Sequence, residues 1–418
     1  MAEPVILKSP AHPITRRDVD PDALRVIFRL HHSGFLAYLT GGAVRDLLLR
    51  REPKDFDVVT DARPGQIRRR FPNCYIIGRR FRLAHVRFPD GKTIEVATFR
   101  RTISPGLEES QPAELDPNLL YGTPAEDAFR RDLTINGLFY DAVKNEVIDH
   151  VGGLEDLERK RARVIGEPGT RYAEDPVRIW RVLRHASRLR FAIEEATAAA
   201  IPAHIGLLGG CPGARLYEEL NKDLLLETGP VFDALREYGL LRIVLGRAGE
   251  AYETDPLSYA RLRELLHLAD QAKAVGEDLS LEDMYALVFW PWVEPLFGEF
   301  QPDMIKVLSD ALIGAEMRTT IPRTMRANVV QILSLVGQMR RALRTGRWRF
   351  SLQKRSHFGP ASRLFVLIDR GRIPEEGESF ETLLAGAYPG GPRPGKRRRR
   401  RRKNRLPPNG SSGPIPSA

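Results

Sequence analysis

The sequence predicts an α+β protein: a small mixed sheet in the N-terminal third, all-helical segments after it, and a disordered basic tail. Three observations predict it. Short apolar runs separated by Gly and Pro turns fill roughly the first 150 of 418 residues. Amphipathic patterns at helical spacing follow Gly152-Gly153 and run to about residue 370. Of the net charge of +11, ten positive charges lie after residue 381, among Pro, Gly and Ser. Such a segment buries too little apolar surface to fold and contacts polyanions.

Each element has its own signal. Residues 1–20 are polar and contain proline, which predicts a mobile arm. Pro21 to His32 reads as a helix with Leu24, Ile27, Phe28 and Leu30 as its apolar set. Phe35 to Leu39 reads as a buried strand, broken by Thr40-Gly41-Gly42, and Ala43 to Arg50 resumes a helix. Phe56 to Val59, Tyr75 to Ile77, Ala84 to Phe88 and Thr93 to Phe99 are strands, the last two joined by a Pro89-Asp90-Gly91 turn. Residues 101–127 read as a polar, acidic loop, and prolines at 176, 202, 212, 230, 291 and 322 punctuate the helices beyond. The resulting division is an arm at 1–20, a mixed unit at 21–155, helical segments at 156–225 and 226–386, and a tail at 387–418.

Composition excludes several classes. Two cysteines, Cys74 and Cys211, make neither a disulfide framework nor a Cys-rich zinc site. No apolar run reaches a membrane-spanning length of about 18 residues. The first twenty residues lack the apolar core of a signal peptide. A cytoplasmic location is the expectation.

Five short motifs carry the chemistry. Gly41-Gly42 turns a strand into a helix, where the backbone can approach a phosphate. Asp55-Phe56-Asp57 on a strand projects two carboxylates to one face, an arrangement that repels itself unless a cation intervenes. Mg²⁺ takes one or two carboxylates plus substrate phosphates. Glu95, in the apolar run Ile94 to Phe99, is either a third acid or an outward-facing glutamate, depending on which strand lies beside it. Arg131, Asp132 and Asn136 fall on one face if Arg130 to Leu138 is helical. Arginine there forks onto phosphate oxygens, and asparagine bonds a ribose hydroxyl. Last, Glu174-Asp175-Pro176 starts a helix whose Arg178, Arg181, Arg184 and Arg188 share one face. Four stacked guanidinium groups repel unless anions lie against them, and a triphosphate or RNA would serve. A solvated arginine face is the alternative.

In this order and spacing the five motifs resemble the class II nucleotidyltransferase family, whose bacterial members are tRNA CCA-adding enzymes and poly(A) polymerases. The resemblance is strong over roughly residues 25–225. Gly78 to Val86, Arg171 to Arg178, the Phe289-Trp290-Pro291-Trp292 run and the Arg-rich end are similar to the poly(A) polymerase branch. The His-Asp dipeptide of the phosphohydrolase domain fused to some CCA-adding relatives does not occur.

The resemblance implies a polymerase-β-like head, a helical neck and a helical body that guide RNA. It implies addition of AMP from ATP to single-stranded RNA 3′ ends, a polyadenylation that promotes RNA turnover. CCA addition to tRNA is the alternative, and a non-catalytic RNA-binding adaptor a remote one. Asp55 and Asp57 would hold two Mg²⁺ ions, with Mn²⁺ equally suited to carboxylate oxygens. Asp132 would join the acid set, and Glu95, if its strand lies beside theirs, would be a further acid. Gly41, Gly42, Arg45, Arg131, Asn136 and Arg181 would hold the nucleotide, and Asp175 and Arg178 would read its base edge. RNA would be gripped by the tail, Arg397, Arg398, Arg399, Arg400, Arg401 and Arg402. A basic and aromatic stretch from Arg323 to Phe350, including Arg340, Arg341, Arg344, Arg347, Trp348 and Arg349, would add to that grip or form a solvated helix face. Trp290 and Trp292 read as core.

Overall fold

Among the described residues, eight short strands form the sheet that positions the site. They are β1 (Val5–Lys8), β2 (Ala37–Thr40), β3 (Asp57–Thr60), β4 (Cys74–Ile77), β5 (Leu83–Arg87), β6 (Thr93–Thr98), β7 (Phe139–Asp141) and β8 (Glu146–Asp149). Their spatial order is β1-β8-β7-β2-β3-β6-β5-β4. Every neighbouring pair is antiparallel except β3 and β6, so the sheet is mixed as expected. The computed structural model describes residues 3–78, 82–101, 120–298, 301–347, 350–375 and 378–386. The Arg397–Arg402 cluster, the whole 387–418 tail, Trp348 and Arg349 lie outside the described residues.

Alternation builds the head core. On one face Val58, Ala84, Val86, Ile94 and Val96 are buried against the Pro21–His32 helix, whose Ala23, Val26, Ile27 and Leu30 are fully covered. Asp20 caps that helix by accepting from the backbone of Asp22 and Ala23. On the other face Tyr38, Val59, Phe99 and Phe139 make a smaller aromatic cluster.

Several expectations are corrected. The predicted mobile arm is an edge strand and a strap: β1 pairs with β8, Ile14 and Val19 are buried, and the Arg16 guanidinium donates to the carbonyls of Ala142 and Val143. The strand is the apolar run Val5-Ile6-Leu7 with Lys8, which the polar average of the first twenty residues hides. The acidic 101–127 loop contains a helix, Pro124–Phe129, with a Thr123–Glu126 capping box and a buried Asp127. The head also extends past residue 155. The Gly153–Glu158 helix packs on the Thr134–Asn136 turn, and Asp156 accepts from Thr134 Oγ1 at 2.7 Å.

Beyond the head the described residues are helical apart from a parallel pair, Arg161–Ala162 against Ala192–Ile193. The Val177–Leu189 helix buries Ile179, Trp180, Val182 and Leu183, each adding roughly 1.5–3 kcal/mol of apolar burial. Trp180 Nε1 donates to Asp223 on the Gly213–Leu224 helix at 2.6 Å. In the body the Leu281–Val293 helix is covered on all sides. Trp290 is fully buried there, and Trp292 packs on the core partly buried. Arg340, on the Arg323–Thr345 helix, is held by Glu294 and Asp369 and lies over the Trp290 ring. It is therefore an internal tie rather than part of a solvated basic face.

Candidate active site

The Gly41-Gly42 turn lies where β2 ends and the Gly42–Leu48 helix begins. Gly41 has φ +69°, a conformation that disfavours any side chain. Two guanidinium groups lie over the turn. A Cβ at Gly41 would meet Arg131 Nη1 at 3.5 Å, and one at Gly42 would meet Arg45 Nη2 at 3.4 Å.

The acids sit on the neighbouring strands. Asp57 opens β3, while Asp55 precedes the strand rather than sharing it. Parallel pairing sets Val58 against Val96, so Glu95 falls beside Asp57 on the face away from the Pro21–His32 helix. Glu95 therefore neighbours the Asp-x-Asp element and is also exposed. Solvent reaches Asp57, yet loss of surrounding water and the charges of Glu95 and Asp55 push its carboxyl up to about 6, against the pull of Arg131. Glu95 Oε1 lies 3.6 Å from His85 Nε2.

Among the described residues no three His, Cys, Asp or Glu side chains are arranged to hold a metal ion by themselves. Two carboxylates completed by substrate phosphates need no such cluster. Burial first, and then the charges of Glu95 and Asp55, disfavour a charged Asp57, and a divalent cation would relieve both. The residues present fit that group.

A second network flanks the turn. Arg45 Nη1 donates to Asn136 Oδ1 at 2.7 Å, and Arg45 Nε donates to Asp46 at 2.8 Å. Arg131 grips the buried Asp127 through Nε and Nη2 at 3.1 and 2.8 Å, while Nη1 reaches the Asn136 carbonyl. Asp132 accepts from the Leu133 N–H at 2.8 Å and lies 3.7 Å from Arg181 Nη1. Burial disfavours the Asp132 charge, but Arg181, the Leu133 N–H and the Asn136 amide outweigh it and hold the carboxyl below its usual range. Burial, with Arg45 close by, pushes His185 far below the imidazole range despite Asp132.

Arg131, Asp132 and Asn136 do come together, but not on one helical face. The chain leaves the helix at Phe129 and makes a 3₁₀ turn at Thr134–Asn136. Leu133 bridges to Val164, and the Thr134 N–H donates to the Arg163 carbonyl, so pairing with a distant segment replaces the helix.

The arginine face of the Val177–Leu189 helix is corrected most. Arg184 is 4 % exposed and bonded to both Glu219 and Asp223. Arg181 donates to Glu219 at 3.0 Å, and Arg188 to the Lys222 carbonyl at 2.7 Å. Arg178 holds the Arg171 carbonyl at 2.8 Å and Glu174 at 3.1 Å. Asp175 accepts from Arg215 at 2.7 Å. The anions against this face are the protein's own carboxylates. Sequence reasoning missed Asp127, His185, Arg215, Glu219 and Asp223. Glu219 and Asp223, four apart on a helix, could have been matched to the arginine stripe, which has the same period.

A mixed-sheet head with a Gly-Gly turn, adjacent carboxylates and flanking arginines defines a nucleotidyltransferase-type site. Residues 37–163 match the family described as "Poly A polymerase head domain", and residues 190–248 match "Probable RNA and SrmB- binding site of polymerase A". The chain is 47 % identical over 249 residues to poly(A) polymerase I of Salmonella typhi, covering 57 % of this chain and 52 % of that one. It is 38 % identical over 296 residues to poly(A) polymerase I of Haemophilus influenzae, covering 68 % and 65 %. The crystal structure of the Bacillus stearothermophilus CCA-adding enzyme in complex with CTP superposes with a TM-score of 0.61 at 26 % identity, covering 85 % and 80 %. The chain spans about half the length of the first curated relatives it matches. It belongs to the class II nucleotidyltransferase family of tRNA nucleotidyltransferases and poly(A) polymerases.

Proposed function

We propose that the protein adds AMP from ATP to the 3′ ends of single-stranded RNA. The observation that carries this reading is the Asp55–Asp57–Glu95 cluster beside the Gly41-Gly42 turn, with Arg45 and Arg131 over that turn. The 3′-hydroxyl oxygen attacks the α-phosphorus, the bond to the bridging oxygen of pyrophosphate breaks, and the hydroxyl proton leaves to solvent. Gly41, Gly42, Arg45 and Arg131 bind the triphosphate and neutralise its charge. Asn136, fixed by Arg45, and Asp132 orient the ribose, with Arg181 behind Asp132. Asp55 and Asp57 are placed to hold divalent cations, Mg²⁺ or Mn²⁺, which when bound supply Lewis-acid stabilisation of the attacking and leaving oxygens. Asp175 and Arg178 read the base edge, which requires Asp175 to share or release Arg215. RNA is held by the helical region and the arginine tail.

A second reading, CCA addition to tRNA, is favoured by the likeness of 85 % of the chain to a CCA-adding enzyme. One experiment separates them. A labelled generic single strand and a tRNA lacking its 3′ CCA are incubated with Mg²⁺ and ATP, CTP or both. Long ladders on the generic strand with ATP alone are the expected result. CTP-dependent addition confined to three nucleotides on the tRNA would replace the first reading with the second. No addition to either RNA would leave only an RNA-binding adaptor.

A further inference from the structure

We propose that the open face of the β4–β5 edge is a platform for the RNA strand, with Tyr75 stacking a base upstream of the 3′ terminus and Arg87 meeting a phosphate. The proposal rests on the nucleotidyl-transfer reading and adds the path of the RNA.

The register carries it. Thr40 pairs with Phe139 and with Asp57, Glu95 with His85, and His85 with Tyr75. Because Val58 lies against Val96, Asp57 and Glu95 join the same row. One line of side chains thus crosses the sheet from Phe139 through Asp57, Glu95 and His85 to Tyr75. At about 4.8 Å per strand, Tyr75 stands about 14 Å from Asp57. A base held there belongs to a nucleotide before the terminal one, whose hydroxyl must reach the acids.

The chemistry of this face suits single-stranded nucleic acid. Tyr75 is 60 % exposed and Ile77, two residues on and on the same face, is 52 % exposed. Their neighbours Cys74 and Ile76 point into the core instead. Isolated exposed apolar residues are ordinary, but Tyr75 continues the row that reaches the acid cluster, and Ile77 lies beside it opposite Leu83. Aromatic side chains on a sheet stack bases without regard to sequence, and cations beside them track the backbone. Arg87, on the same face as His85, is exposed and has no ion pair among the described residues. The helix that leads into β4 packs on the opposite face and ends in exposed Arg68, Arg69 and Arg70, which add positive charge near this edge. This charge disfavours edge pairing with a second copy of the chain and favours a polyanion.

The test uses the full chain and a single-stranded RNA carrying 2-aminopurine at one of its last four positions, without ATP or divalent cation. In the wild type, fluorescence should be quenched at one upstream position. Tyr75→Ala should abolish that quench and weaken binding about tenfold at 0.2 M salt, whereas Tyr75→Phe should retain both. Arg87→Ala should weaken binding and reduce its salt dependence. An unchanged quench in Tyr75→Ala, or a loss that Tyr75→Phe does not restore, overturns the proposal. So does a change of oligomeric state in place of the RNA effect. Because binding is read without turnover, a wild type that stacks RNA yet adds no AMP would sink the catalytic reading and leave the platform standing.

Discussion

Two charged regions meet at the junction of head and neck, and they differ in how their charges are balanced. On the head, Asp55, Asp57 and Glu95 crowd together, and neither Asp55 nor Asp57 forms an ion pair among the described residues. On the neck, Arg178, Arg181, Arg184 and Arg188 each have a carboxylate or carbonyl bonded to them. From the sequence both regions read as surfaces awaiting a counter-charge. The structure divides them. The neck supplies its own anions and uses them to fasten the Val177–Leu189 helix to the Gly213–Leu224 helix. The head leaves Asp55 and Asp57 without an ion pair among the described residues, and under the proposed function that is where a cation and a triphosphate would bind. Charge that the fold has already neutralised holds structure, and charge left over points to a ligand.

The sharpest way to break this contrast on the neck is Arg184→Met. It leaves Glu219 and Asp223, 1 % and 0 % exposed, without their shared cation. A loss of about 3–5 kcal/mol in urea unfolding is expected. A loss below about 1 kcal/mol would show that the network is not a fastening.

On the head side, Arg45→Gln removes the bond that fixes Asn136. It should lower kcat/KM for ATP about a hundredfold while leaving the unfolding midpoint near the wild-type value. A large fall in midpoint would move Arg45 to the structural group.

The pH dependence should have opposite signs in the two regions. Although burial opposes its charge, Arg184 and Arg181 hold the Glu219 carboxyl down at about 2. Its contribution is present above the ordinary glutamate range and is lost as pH falls toward about 2. Glu219→Gln should flatten that acid limb. Asp57 is raised to about 6, so stability is fully present below the ordinary aspartate range and declines as pH rises through about 6. Asp57→Asn should therefore be slightly more stable than wild type at pH 7, and added Mg²⁺ should narrow the gap. A variant less stable at pH 7 would contradict the excess of negative charge.

Much of the head was legible because its signals are local. The Gly41 turn, the β5–β6 hairpin at Asp90-Gly91 and the apolar alternation of β3, β5 and β6 each lie within a few residues. What was not legible depends on partners far along the chain. β1 carries the apolar run Val5-Ile6-Leu7, but the run is short, lies in an otherwise polar arm, and pairs with β8 far along the chain. The Arg131–Asp132–Asn136 cluster was found, but its shape was set by Val164 and Arg163, some thirty residues away. Arg184 looked like a ligand-binding cation because its carboxylates arrive 35 and 39 residues later.

The most direct test of the account is AMP incorporation into single-stranded RNA by Asp57→Asn, with cooperative unfolding measured on the same preparation. The account predicts transfer reduced at least about a thousandfold, with the unfolding midpoint at or above that of the wild type. Transfer within tenfold of wild type would contradict it, since the uncompensated acids would then not be where the reaction occurs.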